Sequence, residues 1–232
     1  MNSKPLTVMR LCLANLTTAW AIVLAIFATV TIPSVIQIVQ AGPNEYFERS
    51  YLLSSGNAWY PLLIIVPVIV ATRHLTKVMH LNAAKETFLA GAVLVYAVLA
   101  ACVSGANQVF HYSLDQSWSQ TFQVVNLVEV FGWAGNGPLV SFVQQFAFLI
   151  LVAVGVHCLA SIQRSWVGWA VDLLLIVLVG ASLGVEPLVS FRLLVADLLV
   201  LHSSAIVQVG SCLVLATGLY RMSLTVLRRT EL

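Results

Sequence analysis

The chain has 232 residues, of which 60% are hydrophobic and 9% are charged, with a formal net charge of +2. A water-soluble domain carries charge on roughly a quarter of its residues, so this composition excludes an ordinary soluble protein. The sequence also lacks the basic stripe of a nucleic-acid-binding face. Several apolar runs reach the ~20 residues that cross a bilayer core, which predicts a single all-α polytopic membrane domain over residues 1–232.

Hydropathy predicts six transmembrane helices, at about 16–39, 57–76, 87–108, 138–161, 165–184 and 203–222. The first apolar run exceeds the ~7–15 residues of a signal-peptide core, so we expect an uncleaved first span. The second span contains Pro61 and Pro67, which should kink it.

The distribution of basic residues predicts the orientation. Because cytoplasmic loops are enriched in Lys and Arg, we expect both termini and the loop between spans two and three to be cytoplasmic. This side has Lys4, Arg10, Arg73, Lys77, Lys85, Arg164, Arg221, Arg228 and Arg229, against Arg49 and Arg192 on the other.

Two segments on the predicted outer side are long. Residues 109–137 mix aromatic and polar side chains, as an interfacial helix would. Residues 185–202 are apolar but contain Arg192 and Asp197. They predict a helix that dips into the outer leaflet before the last span, or alternatively part of a longer, broken span.

Small residues predict where helices approach closely within the membrane. The third span has Ala97, Ala101 and Gly105 at intervals of four, and the fifth has Gly180 and Gly184. Both sets are compatible with packing inside the chain or with contact to another subunit.

Asp172 is the carboxylate that we place well inside a span, where an acid normally requires a partner. If spans four and five fold back on each other, His157 and Asp172 both lie roughly 10 Å from the cytoplasmic side. We therefore predict that these two side chains pair, with Arg164 as the second choice. Such a pair would pin two helices together, or would take part in proton coupling or gating.

No catalytic motif is recognisable, and no metal site is expected. The five histidines, at 74, 80, 111, 157 and 202, divide between the two sides and the membrane. The four cysteines are scattered without metal-ligand spacing. The chain also lacks a G-x-x-x-x-G-K-[ST] motif, so we expect no cofactor here and place any ATP, with its Mg, on another chain.

The segment TRHLTKVMHLNAAKETF, residues 72–88, is unusually polar between two apolar runs. It is either a topology signal alone or a short helix that docks on a cytoplasmic partner. Its candidate docking residues are Arg73, His74, Lys77, His80, Lys85 and Glu86.

The entry to span three reads Lys85-Glu86-Thr87-Phe88-Leu89-Ala90-Gly91, a basic residue followed by Phe three and Gly six positions later. With the short amphipathic N-terminal stretch KPLTVMRLCLANL, the basic loop and the dipping segment, it resembles the permease subunits of type-2 (ABC-2-like) ABC exporters. The small six-span permeases for peptide or drug export, or for immunity to antimicrobial peptides, are the most similar. Asn82-Ala83-Ala84 departs from the Gly-Val-Ser that often precedes the family's basic residue.

The resemblance implies that the loop, together with Phe88, couples the permease to a separate cytoplasmic ATP-binding subunit. It also implies a second permease copy or a related permease, a multi-pass location in a bacterial plasma membrane, and a hydrophobic or amphipathic cargo such as an antimicrobial peptide or a drug. The polar residues Gln37, Gln40, Gln108, Gln144 and Gln145 would line an exit or be ordinary interfacial residues.

Two other classes of function compete with an exporter subunit. The first is a non-transporting membrane sensor or assembly scaffold, whose basic loop binds a partner that is not an ATPase. The second is an intramembrane enzyme, which is disfavoured because no set of titratable groups converges at one depth.

Overall fold

The computed structural model describes residues 5–14, 16–40, 51–75, 84–119, 122–163 and 166–229, and most of them are helical. We label the helices of eight or more residues. They are α1 (Pro5–Ala14), α2 (Thr17–Gln40), α3 (Leu62–Ile69), α4 (Lys85–Phe110), α5 (Pro138–Ile162), α6 (Trp166–Ala181), α7 (Glu186–Ala196) and α8 (Ala205–Arg229). The prediction of an all-α polytopic membrane protein is confirmed.

Five segments of the described chain are long and apolar enough to cross a membrane: Thr17–Ile36, Ser55–His74, Lys85–Trp118, Pro138–Ile162 and Ala205–Arg228. The second combines a 3₁₀ turn (Ser55–Trp59), α3 with Pro67 inside it, and a π-helical turn (Val70–His74). A sixth crossing requires α6 together with the segment Glu186–Leu201, which is bent from it by 102°. The predicted fifth helix ends early, because α6 stops at Ala181 and the chain turns at 182–184.

The first two helices follow α4 in the same direction. Near the start of α4, a Cβ on Gly91 would lie 2.7 Å from Val8 Cβ. Near its end, the rings of Phe27 and Phe110 have centroids 6.1 Å apart. Buried positions continue across the junction of α1 and α2 at intervals of three or four residues: Val8, Cys12, Leu16, Ala19 and Val23. The predicted N-terminal helix therefore forms, and one of its faces is packed into the bundle.

Helix α5 lies at the centre of the bundle, where it packs against α3, α4 and α8. Its inner face is built from small and aliphatic side chains such as Ala147 and Ala153, which are fully buried. In a membrane, lipid competes for apolar surface, so such contacts stabilise mainly through close packing. Gly155 illustrates this, because its Cβ position would lie 3.6 Å from Leu219 of α8.

The segment after α4 forms a compact cap at one end of the bundle instead of the predicted interfacial helix. Helix α4 continues through a π-helical turn (His111–Asp115) and a short turn (Gln116–Trp118). Strand β2 (Gln123–Val125) then pairs in parallel with strand β1 (Tyr51–Leu53), with Leu52 opposite Val124. A helical turn (Leu127–Val130) and a 3₁₀ turn (Trp133–Asn136) complete the cap. Gly137, at φ 83°, turns the chain sharply into α5.

Candidate functional site: the two ends of the bundle

A polar stripe runs along the last turns of α4 toward the cap. Its members share one face of the helix and are all buried: Ser104, Asn107, Gln108, His111 and Asp115. A buried polar group without a partner is costly, so this face must be matched by donors and acceptors on neighbouring elements. We call the resulting set of side chains on α4, α5, α8 and the cap the polar network.

Asp115 joins three segments of the network. Ser54 Oγ and Asn126 Nδ2 each donate a hydrogen bond of 2.7 Å to the same oxygen, Asp115 Oδ2. Ser54 directly follows β1 and Asn126 directly follows β2, so the carboxylate closes the end of the two-stranded sheet. Asn126 also caps the next helical turn, since its Oδ1 accepts from the backbone N–H of Val128 at 2.9 Å.

The Tyr60 hydroxyl joins the start of α3 to the two central helices. It accepts hydrogen bonds from Asn107 Nδ2 at 2.9 Å and from Gln145 Nε2 at 2.6 Å. One turn away, Gln108 Nε2 donates to Ser141 Oγ at 2.8 Å. Side-chain hydrogen bonds therefore cross between α4 and α5 at two adjacent levels.

The network continues to the last helix. Gln144 Nε2 donates to Gln208 Oε1, and Gln208 Nε2 donates to the carbonyl of Leu199 at 3.0 Å. Trp133 of the cap donates from Nε1 to the carbonyl of Val200 at 2.9 Å. The π-helical turn Asp197–Leu201 is thus attached to both the cap and α8.

Gly56 permits the closest approach within the network. A Cβ at this position would lie 2.0 Å from Asn107 Oδ1 and 3.2 Å from Phe110 Cβ. The 3₁₀ turn Ser55–Trp59 therefore contacts α4 through its backbone, which only glycine allows here.

Four buried atoms of the stripe have no hydrogen-bond partner among the described residues: Ser104 Oγ, Gln108 Oε1, His111 Nδ1 and Asp115 Oδ1. His111 Nδ1 lies 3.9 Å from Glu129 Oε1, beyond hydrogen-bond range. In the described ranges, no three His, Cys, Asp or Glu side chains lie together as a metal site would require. The chemistry on offer is hydrogen bonding by neutral amides and hydroxyls around one carboxylate.

The expectation that Gln108, Gln144 and Gln145 are exposed at an exit or an interface is wrong. They are at most 9% exposed, because they bond to one another, to Ser141, to Tyr60 and to Gln208. Gln37 and Gln40 belong to α2, but their side chains lie outside the described part of the chain.

The opposite end of the bundle carries the predicted coupling residues. Glu86 Oε1 accepts from Arg228 Nε and lies 3.0 Å from Arg228 Nη2, which attaches the start of α4 to the end of α8. Phe88 is fully buried and His74 is 4% exposed, whereas Arg73 is exposed and Lys85 is half-buried. Lys77 and His80 lie outside the described residues.

The predicted pairing of His157 with Asp172 is wrong. His157 Nδ1 shares a hydrogen bond of 2.6 Å with the Tyr96 hydroxyl, so the imidazole points toward α4 and not toward α6. Asp172 Oδ2 accepts instead from Gln163 Nε2 at 2.7 Å. Arg164, the second choice, lies outside the described residues.

The small residues were predicted to pack inside the chain or to contact another subunit, and the structure treats the two sets differently. Gly105 faces Phe142 of α5, 3.9 Å from its Cβ position, so this site packs inside the chain. Ala97 and Ala101, on the same helix, are half-buried. No described atom lies within 4 Å of the Cβ positions of Gly180 or Gly184, and Gly184 lies beyond the end of α6. A contact of these two glycines with another subunit stays a prediction.

The two ends of the helix bundle therefore differ: one contains the polar network under the cap, and the other, where α4 begins, is mainly apolar. No protein-family model, no curated protein and no solved structure matches this chain. A functional assignment accordingly depends on the geometry of these two ends and on the resemblance of the sequence.

Proposed function

We propose that the chain is the membrane-spanning subunit of an ATP-driven exporter, powered by a separate cytoplasmic ATP-binding subunit. The observation that supports this most is the position of α4. It begins immediately after the basic segment 72–88 and contacts α1, α3, α5 and α8 before it reaches the polar network. A displacement of its first turn would act on most of the bundle.

The first turn of α4 contacts two other helices, and a displacement of this turn would be transmitted to them. Glu86 is paired with Arg228 of α8, and the Phe88 ring lies 6.3 Å from the His157 ring of α5. Arg73, which is exposed, and Lys85, which is half-buried, lie close to this turn in the sequence. In this proposal the ATPase, which holds the ATP and the Mg, pushes on residues 72–88, and α4 carries the movement to α5 and α8.

The interior between α4 and α5 is filled by buried side chains. A cargo path is therefore expected between two permeases, which are either two copies of this chain or this chain and a related permease. A hydrophobic or amphipathic cargo, such as an antimicrobial peptide or a drug, suits the apolar outer surfaces of the helices. The setting would be a bacterial plasma membrane, with the chain acting in transport and not as an enzyme itself.

Purification of the chain from its native membrane in mild detergent tests the proposal. We expect a co-purifying protein with a Walker A motif, whose ATPase activity is stimulated by a hydrophobic peptide. The double reversal Lys77→Glu with Lys85→Glu should abolish this stimulation while the protein still folds. The matched control is Arg49→Glu with Arg192→Glu, on the predicted outer side, which should leave it unchanged. Full stimulation in the first variant would contradict the coupling role.

The second candidate is a membrane sensor or assembly scaffold, and the buried His111 and Asp115 under the cap favour it. Both are 2% exposed and lie at the predicted outer end, and each has a buried atom without a hydrogen-bond partner among the described residues. A preparation that contains no nucleotide-binding partner would support this candidate against the exporter.

A further inference from the structure

Helix α6 has almost no packing partner within the described chain. Apolar side chains are exposed on all of its sides, including Trp169 (71%), Ile176 (69%) and Val179 (64%). The helix is attached at its base to the end of α5, and the segment that follows it is attached at Leu199 and Val200. A helix that is apolar all round belongs in a membrane or in a protein core.

Asp172 is the exception on this apolar helix. It lies six residues after the start of α6, about 9 Å along the axis. Its carboxylate accepts one hydrogen bond, from Gln163, and has no ion-pair partner among the described residues. An acid at such a position in a membrane normally pairs with a cation.

Arg221 supplies the opposite charge at a similar depth. It is exposed on α8, eight residues before Arg229, about 12 Å from the end of the helix. Like Asp172, it has no ion pair with a described residue of its own chain.

The start of α6 and the end of α8 lie at the same end of the bundle. The end of α8 lies beside the start of α4, where Arg228 Nη2 is 3.0 Å from Glu86 Oε1. The start of α6 adjoins the end of α5, since a Cβ on Gly168 would lie 2.5 Å from the carbonyl of Ile162. The hydrogen bond between His157 and Tyr96 aligns that end of α5 with the first half of α4.

We propose that two copies of this chain pack through α6 and α8, so that Asp172 of each copy pairs with Arg221 of the other. A two-fold axis satisfies both charges at once, because an isologous interface brings residue i to j and j to i. No atom of the described residues lies within 4 Å of the Cβ positions of Gly210 and Gly218 of α8, so the backbone there is open to a close helix contact.

The competing arrangement leaves both helices covered by lipid, with Arg221 extended toward the membrane surface. This extension serves the arginine but not Asp172, whose short side chain places its charge within the apolar helix. The inference rests on the proposed function for its choice of a second permease copy, whereas the pairing itself is argued from the two charges.

Complementary charge reversal tests the pairing. One chain carries Asp172→Arg and a second chain, with a different affinity tag, carries Arg221→Asp. Either chain alone places like charges at both contacts, so we expect about tenfold or greater loss of dimer relative to the unmodified protein. Co-expression restores both opposite-charge contacts, and we expect a heterodimer captured through the two tags in succession.

The matched controls are the same reversals at Asp197 and Arg192, two exposed charges outside the proposed interface. These variants should dimerise like the unmodified chain. Monodisperse elution and an unchanged melting temperature show that each reversed chain folds.

Three outcomes would overturn the inference: a monomeric unmodified chain, undiminished dimers of either single variant, or failure of the co-expressed variants to form a heterodimer. None of these assays needs an ATPase. Failure here therefore leaves the exporter proposal intact, and failure to find a nucleotide-binding partner leaves this result intact.

Discussion

The two ends of α4 are held by different kinds of interaction. Near the cap, buried amides, hydroxyls and a carboxylate form a network that joins α4 to β1, β2, α3 and α5. At the other end, Gly91 lies directly against Val8 and Pro5, and an exposed ion pair reaches α8. Separating the network would leave buried polar groups unsatisfied, whereas the opposite end can shift with loss of van der Waals contacts and one solvent-exposed ion pair. The comparison predicts a rigid cap end and a yielding end near residue 85.

The largest expected effect comes from removing the carboxylate of the network. Asp115→Ala leaves Ser54 Oγ and Asn126 Nδ2 without their shared acceptor, so we expect a loss of about 3 kcal/mol in the free energy of unfolding. Asp115→Asn keeps an oxygen acceptor and should lose less. Equilibrium unfolding in mixed detergent micelles measures both, with the exposed Asp197→Ala as the control. Equal stability of Asp115→Ala and the control would show that the network does not hold this end.

The next effect concerns the fit of the 3₁₀ turn against α4. Gly56→Ala places a methyl group against Asn107 Oδ1, and we expect it to cost about 2 kcal/mol because the turn must move away from α4. Gly135→Ala, in the same cap but in open space, should be neutral. The same unfolding assay compares the two. A neutral Gly56→Ala would mean that the contact is looser than the structure has it.

At the yielding end, Gly91→Ala should loosen α1 with a smaller cost of about 1–2 kcal/mol. Cys12 reports this change, because it is fully buried in α1. We expect its alkylation by N-ethylmaleimide to accelerate in Gly91→Ala, in a Cys102→Ala background that removes the exposed thiol. Unchanged alkylation, mapped by mass spectrometry, would argue that α1 is held as firmly as the cap.

The same thiol predicts a pH dependence. Burial raises the pKa of Cys12 from 9.0 to about 11, so the folded state holds this proton more tightly than the unfolded chain. The stabilisation is therefore fully present below pH 9 and is lost as the pH rises toward 11. The free energy of unfolding, measured across this range, should fall more steeply with pH in the unmodified protein than in Cys12→Ser, which lacks the thiol.

The smallest effect is expected for the ion pair. Both Glu86 and Arg228 are exposed, and such pairs are weak and screened by salt. Arg228→Ala should leave the melting temperature unchanged in low and high salt. A clear, salt-sensitive decrease would mean that this contact, and not close packing, holds the start of α4.

Hydropathy was sufficient to predict the long helices, because each apolar run is bounded by polar residues or proline. The buried polar stripe was also readable in principle, since Ser104, Asn107, Gln108, His111 and Asp115 recur at helical spacing. Its interpretation needed the partners, which come from residues as distant as Ser54 and Gln208. A single sequence does not reveal those pairings.

The errors have a common physical cause. The predicted pairing of Asp172 with His157 depends only on their similar depth in the membrane. The imidazole is instead oriented toward Tyr96 by the packing of α4 against α5. Likewise, the cap was expected to be an interfacial helix because its composition is amphipathic. Its short turns and strand depend instead on β1, some 70 residues earlier in the chain. The composition of a segment predicts whether it lies in water, at the interface or in the membrane, but it does not predict which side chains the segment contacts.

The hydrogen bond between Gln144 and Gln208 constrains how the chain threads the bilayer. These residues lie near the first turns of α5 and α8, so both helices begin on one side of the membrane. Helix α5 ends on the opposite side, and the chain between them must return across an odd number of times. The described residues 166–204 hold enough apolar helix for one passage, so parity makes α6 and its bent continuation a single crossing and excludes a hairpin that re-emerges where it entered. Strands β1 and β2 pair with each other and therefore lie on the same side of the membrane. The chain between Leu53 and Gln123 must accordingly cross the membrane an even number of times.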